Sequence, residues 1–207
     1  MLNIHARAAV SRALEPLGAA LARARITPNS ITVVGTVGAV AASAGLLATG
    51  WLLTGTLVIT FFVLLDIVDG AVARAGGTTS VFGSVLDSSC DRIADAAIFG
   101  AVAWYAAERG ERWLLLAALL CLALGSLTSY IRARAEGAGL TATVGVAERA
   151  ERLIAVLVGT GLTGFGVPYV LPVALWLLVA ASAITVYQRF ATVWAQSRAA
   201  ERTAAGT

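Results

Sequence analysis

The chain has 207 residues, 58% of them hydrophobic and only 13% charged, with a formal net charge of +3. That balance excludes an ordinary soluble domain, in which about a quarter of residues are charged. The two cysteines, Cys90 and Cys121, sit inside hydrophobic runs and exclude a disulfide framework.

The apolar residues form long runs separated by short polar punctuation, the pattern of transmembrane helices. Before the first run, Arg7, Arg12 and Arg23 alternate with Ile4, Val10, Leu14, Leu17 and Leu21. Residues 1–25 therefore read as an amphipathic helix lying at the membrane surface, bent at Pro16. Met1 to Val10 lack the apolar core and cleavage site of a signal peptide. Thr27 before Pro28 fits an N-cap followed by proline at the first helical position. The first span is expected over Ile31 to Gly50 and the second from Trp51 to about Arg74. A glycine- and threonine-rich break leads to a third from about Ser80 to Ala106. After the polar turn Glu108–Arg112, a fourth runs from Trp113 to about Glu136, with Gly137 and Gly139 as stop signals. The fifth covers roughly Ala147 to Thr163, and the sixth Tyr169 to about Trp194.

The predicted fold is thus an all-α integral membrane protein with six transmembrane helices over residues 26–197, a surface helix before them and a flexible tail over 198–207. Six spans place both termini on one side. That side holds nearly all the arginines, the other only Arg109 and Arg112, so the positive-inside rule makes it cytoplasmic.

Acidic residues inside membrane spans are costly and mark function by default. Asp66 and Asp69 lie at i and i+3 on one face of the second helix. Gly83, Asp87, Asp91 and Asp95 follow at steps of four on one face of the third. The short loop makes these helices antiparallel neighbours, so the acidic faces can meet. Clustered carboxylates repel one another in low dielectric unless a cation sits among them. Oxygen ligands without His or Cys favour Mg²⁺, with Mn²⁺ as the alternative. Asp87 and Asp91, one turn apart, can serve two metals about 3.5–4 Å from each other, as in phosphoryl transfer. Gly70 and Gly83 would let a nucleotide approach the backbone closely.

The run Asp66-Ile-Val-Asp69-Gly70-Ala-Val-Ala73-Arg74, eight residues, then Gly83-Ser-Val-Leu-Asp87-Ser-Ser-Cys-Asp91 resembles the full signature of the CDP-alcohol phosphotransferase family, with every fixed position matched. The resemblance extends to the six-span layout. It implies that Asp66, Asp69 and Asp87 hold one Mg²⁺ and that Asp66, Asp87 and Asp91 hold a second. It further implies that Asp91 is the general base, and that Gly70, Arg74 and Ser80 contact the CDP portion of CDP-diacylglycerol. Asn29-Ser30-Ile31-Thr32 resembles the family's other CDP-binding stretch. Asp95, outside the signature, is expected to support the ligand aspartates. The implied setting is a homodimer in the bacterial inner membrane, its active site and both termini cytoplasmic; no nucleic-acid partner is expected.

The acceptor alcohol is addressed by the arginines of the last three helices. Arginine forks suit the acceptor's own phosphate, although arginines also anchor helix ends at lipid headgroups. The runs YIRARAEGAGL and ERAERL resemble the actinobacterial phosphatidylinositol phosphate synthases within this family. That branch implies 1D-myo-inositol 3-phosphate as acceptor, its phosphate held by Arg132, Arg134, Arg152 and Arg189. Glycerol 3-phosphate, as in a phosphatidylglycerophosphate synthase, is the alternative acceptor. An ion-coupled transporter is the alternative of a different class, disfavoured because the acids cluster near one surface and the helices lack mid-span unwinding signals.

Overall fold

The structure is a computed structural model describing residues 20–21, 23–24, 27–76 and 80–205, without the side chains of residues 66, 67, 75 and 203–205. Most of the predicted surface helix over 1–25 lies outside the described residues; residues 20, 21 and 23 of it are helical, with Arg23 exposed. The described residues contain no strand. They form α1 (Pro28–Ala42), a π-helical turn (Ser43–Leu47), α2 (Leu52–Gly76), α3 (Val81–Glu108), α4 (Arg112–Glu136), α5 (Arg149–Gly164) and α6 (Val170–Ala205). The chain divides into two compact units, Met1–Ile98 and Phe99–Thr207, with the boundary inside α3.

In the first unit α1 packs on α2, and the π turn on both. Thr27 caps α1 as its spacing predicts: its hydroxyl accepts from the Ser30 N–H at 3.2 Å, with Pro28 in the first turn. Small residues set the α1–α2 approach. A Cβ on Gly38 would run into the Phe62 ring, and one on Gly35 would lie 3.1 Å from the Phe62 carbonyl. The pair Gly35 and Gly38 is therefore used inside the chain.

The first predicted span is interrupted where the sequence shows only small residues. Ser43 bonds back through its hydroxyl to the Ala39 carbonyl at 2.7 Å, competing with the backbone ladder where the turn widens. Gly50, at φ 92°, then reverses the chain, a conformation that costs other residues a Cβ clash.

In the second unit α4 and α5 both pack on α6. Cys121 lies fully buried with its thiol toward the Leu175 carbonyl, and Cys90 is buried in the first unit; both are free, as packing residues would be. α6 continues to Ala205, well past the end expected near Trp194. The apolar run ends there, but Ala199, Ala200, Glu201 and Arg202 are strong helix formers and carry the helix on without it.

Outward faces are apolar. Val34 and Val37 on α1, Phe61 and Leu64 on α2, and Leu177 on α6 are more than half exposed, an arrangement that water would not tolerate over whole helices. Among the described residues, four helices are long and apolar enough to cross a membrane: Pro28–Leu47, Leu52–Arg74, Arg112–Glu136 and Val170–Arg202. α3 is long but carries Asp87, Asp91, Arg92 and Asp95, while α5 is 16 residues long and opens with Arg149, Glu151 and Arg152. The molecule is an all-helical membrane protein.

Candidate active site

The first unit carries the acidic residues. Asp69 on α2 is buried, and the Thr32 hydroxyl of α1 donates a hydrogen bond to its Oδ2. Thr32 also reaches the Pro28 carbonyl at 3.1 Å, so its hydroxyl is held between its own helix and the carboxylate. Asp87 and Asp91 are half-buried one turn apart on α3, and Asp95 is buried one turn further on. The Arg92 guanidinium lies 3.7 Å from Asp91 and 3.8 Å from Asp95. Two acids and one arginine on the same stretch of helix thereby offset part of the cost of burying charge.

The side chain of Asp66, which the signature places on both metals, is outside the described residues. Among the described side chains, no group of three His, Cys, Asp or Glu is placed to hold a metal. The donor chemistry still fits the implied ions: Asp69, Asp87 and Asp91 offer hard carboxylate oxygens, with no His or Cys at the motif's fixed positions, the set Mg²⁺ and Mn²⁺ prefer.

The residues expected to meet the nucleotide gather at the opening turns of α1 and α3 and the last turns of α2. Ser80 caps α3, its Oγ accepting from the Gly83 N–H at 2.9 Å. A Cβ on Gly83 would lie 3.3 Å from the Asn29 Oδ1, which brings the start of α1 against the start of α3. Arg74 folds back over Gly70, its Nη1 3.3 Å from where a Cβ would stand. Ser30 is exposed and shares a 2.7 Å hydrogen bond with Thr27, and Ile31 is half-buried. Thr32, in the same opening turn of α1, turns its hydroxyl to the Asp69 carboxylate.

The second unit carries the arginines, and it separates them into two kinds. Arg152 is only 2% exposed and Arg189 only 4%. They meet at one residue of α4: Arg152 Nη1 donates to the Thr128 hydroxyl at 3.3 Å, and Arg189 Nη1 to the Thr128 carbonyl at 2.6 Å. Gly125, one turn before Thr128, makes the room, since a Cβ there would lie 3.0 Å from Arg152 Nε. Arg132 and Arg134 are exposed, and Arg132 pairs with Glu136 at 2.8 Å. Arg132, Arg152, Glu136 and Glu148 are the charged groups around Arg189. Sequence reasoning named the four arginines as equals and passed over Arg92 and Thr128. The one signal for Arg92 was its place between two aspartates; Thr128 is a single hydroxyl in an apolar run.

Residues 25–194 match the CDP-alcohol phosphatidyltransferase family. The chain belongs to that family. As a CDP-alcohol phosphatidyltransferase it is a transferase of phospholipid biosynthesis. The phosphatidylinositol phosphate synthase of Mycobacterium marinum is 46% identical over 192 residues, covering 91% of this chain and 82% of that protein. That of Mycobacterium tuberculosis is 45% identical over 202 residues, covering 96% and 93%. The crystal structure of the latter enzyme with CDP-DAG bound superposes with a TM-score of 0.84 at 44% identity, covering 88% of this chain and 94% of that one. Its complex with manganese and citrate gives 0.82 at the same identity, covering 87% and 88%.

Proposed function

We propose that this CDP-alcohol phosphatidyltransferase moves the phosphatidyl group of CDP-diacylglycerol onto an inositol phosphate, 1D-myo-inositol 3-phosphate, releasing CMP. The observation that carries the acceptor is the pair of buried guanidinia, Arg152 and Arg189, joined at Thr128. Two buried cations side by side favour an anionic ligand, and a guanidinium fork matches the geometry of a phosphate. The relatives named phosphatidylinositol phosphate synthase, at 45–46% identity, support the same acceptor.

Asp66, Asp69, Asp87 and Asp91 would hold two Mg²⁺ or Mn²⁺ ions per subunit. When bound, such ions supply charge neutralisation on the pyrophosphate and on the departing CMP. Thr32 fixes the Asp69 carboxylate, and Asp95 with Arg92 backs the Asp91 side of the site. Asn29, Ser30, Ile31, Gly70, Arg74 and Ser80 border the cytidine diphosphate, where Gly70 and Gly83 keep side chains out of its way. Asp91 takes the proton of the acceptor hydroxyl. The freed oxygen forms a bond to the β-phosphorus as the bond from that phosphorus to the CMP oxygen breaks. Arg152 and Arg189 hold the acceptor phosphate, with Arg132 and Arg134 contributing from the exposed side.

All six helices α1 to α6 cross the membrane, α3 and α5 turning their charges inward. The enzyme sits in the bacterial inner membrane with the active site and both termini cytoplasmic, the arginine-rich side. It works as a homodimer, and because Phe62 occupies the Gly35–Gly38 face, another surface forms the interface.

The test offers purified protein CDP-diacylglycerol and Mg²⁺ with radiolabelled inositol phosphate, glycerol 3-phosphate or free inositol in separate reactions. Lipid product with inositol phosphate alone is expected. Product with glycerol 3-phosphate alone would overturn the acceptor while leaving the reaction class intact.

A further inference from the structure

Between α4 and α5 the chain runs without regular structure from 140 to 148, yet it is tied down at every stage to one stripe of α6. Gln196 clasps Thr141 in both directions: its Nε2 donates to the Thr141 carbonyl at 2.7 Å, and its Oε1 accepts from the Thr141 N–H at 3.0 Å. Arg189 Nε donates to the Val144 carbonyl at 2.9 Å. The Thr185 hydroxyl accepts from the N–H groups of Val146 and Ala147 at 3.1 and 3.0 Å. Thr185, Arg189 and Gln196 stand at i, i+4 and i+11, on one side of the helix. The lengths match: eleven helical residues rise about 16 Å, and the five steps from Thr141 to Val146 span about 17 Å when extended.

Gly145 allows the fit. Its φ of 153° is outside the range side chains favour, and a Cβ there would strike the Thr185 methyl. Ala142 and Ala147, within the strap, are buried.

The strap contacts Arg189 directly and reaches Arg152 only through the start of α5. Of the five N–H bonds of Arg189, one goes to the Val144 carbonyl and one to Thr128, which fixes the plane of the guanidinium and leaves three to point elsewhere. At its other end the strap leads directly into the first turn of α5, which carries Arg152. Thr185 and Gln196 bear no charge, and nothing in their types marks them as substrate ligands.

We propose that Thr185 and Gln196 are positioning residues for the acceptor phosphate: by holding the 141–147 strap on α6 they orient Arg189 through the Val144 carbonyl and set the entry of α5 that places Arg152. This rests on the reading of Arg152 and Arg189 as the acceptor-phosphate pair. Side chains that act only on the acceptor pocket must separate the two substrates kinetically. A merely structural role would not.

The experiment measures steady-state kinetics of Thr185→Val, Thr185→Ser and Gln196→Leu in detergent with Mg²⁺, varying CDP-diacylglycerol and inositol phosphate in turn, beside thermal unfolding. Thr185→Val keeps the shape and removes the acceptor of two N–H groups. Its KM for inositol phosphate is expected to rise roughly tenfold, the loss typical of a misplaced charge-assisted contact, with kcat and the CDP-diacylglycerol KM little changed. Thr185→Ser should restore it, and Gln196→Leu, at the exposed end of the strap, should show the same split if Thr185→Val does not fold. Equal losses on both substrates, or no change in either variant, would overturn the proposal. Arg189→Gln separates the layers: an unchanged acceptor KM there removes the phosphate pocket and the strap's role with it. A raised acceptor KM there, with Thr185→Val and Gln196→Leu unaffected, removes the strap alone.

Discussion

The two units handle buried charge in opposite ways. In the first, the acids come from two consecutive helices, spaced at three and four residues, so each helix presents its carboxylates as a row before any tertiary contact forms. In the second, the two buried cations come from α5 and α6 and meet on a third helix, α4, at Thr128. Rows of like charge repel one another unless a cation sits among them, whereas the two arginines share Thr128, one through its hydroxyl and the other through its carbonyl. On the proposed function, the first unit would hold cations and the second would receive an anion.

The comparison breaks most sharply at Asp91. Asp91→Asn keeps the shape and removes the proposed base, so turnover should fall by about a thousandfold or more in CMP-release assays while the variant still folds. A near-normal rate would remove Asp91 from that role. Arg152→Gln tests the other unit. Its acceptor KM should rise roughly tenfold to a hundredfold, since the proposed charge-assisted contact to phosphate is lost, with the CDP-diacylglycerol KM little changed. Equal effects on both substrates would erase the division of labour between the units.

Thr32→Val sharpens the first unit. Losing the hydroxyl that fixes Asp69 should weaken Mg²⁺ or Mn²⁺ affinity by about tenfold to a hundredfold, read as a shift in the metal concentration giving half-maximal rate. A weaker affinity for CDP-diacylglycerol at saturating metal, with metal dependence unaltered, would return Thr32 to the nucleotide. Arg132→Gln should have the smallest effect. Its side chain is 47% exposed and already paired with Glu136, a contact worth about 0–1 kcal/mol, so the acceptor KM should change much less than in Arg152→Gln. Similar effects in the two variants would make all four arginines one pocket.

Legibility followed the range of the interactions. Helix positions were readable because apolar runs, the Thr27–Pro28 cap and the glycine breaks act within a few residues. The π turn at Ser43–Leu47 was not, since a serine in a run of small residues carries no distinctive local signal. The far end of α6 was misplaced because the apolar run was taken as the helix, although alanine-rich sequence continues a helix in water as well as in lipid.

The amino-acid sequence by itself pointed to the reaction class through its resemblance to the family signature, and it set the carboxylate rows, because helical periodicity places Asp66, Asp69, Asp87 and Asp91 on their faces without help from the rest of the chain. Only the tertiary structure decided which arginines are buried, that Thr32 serves Asp69, and that a strap on α6 links Arg189 to α5. Those outcomes depend on residues distant in sequence, such as Gly125 making room for Arg152 and Gly145 for Thr185, and side-chain burial of that kind is a property of packing that no local pattern encodes.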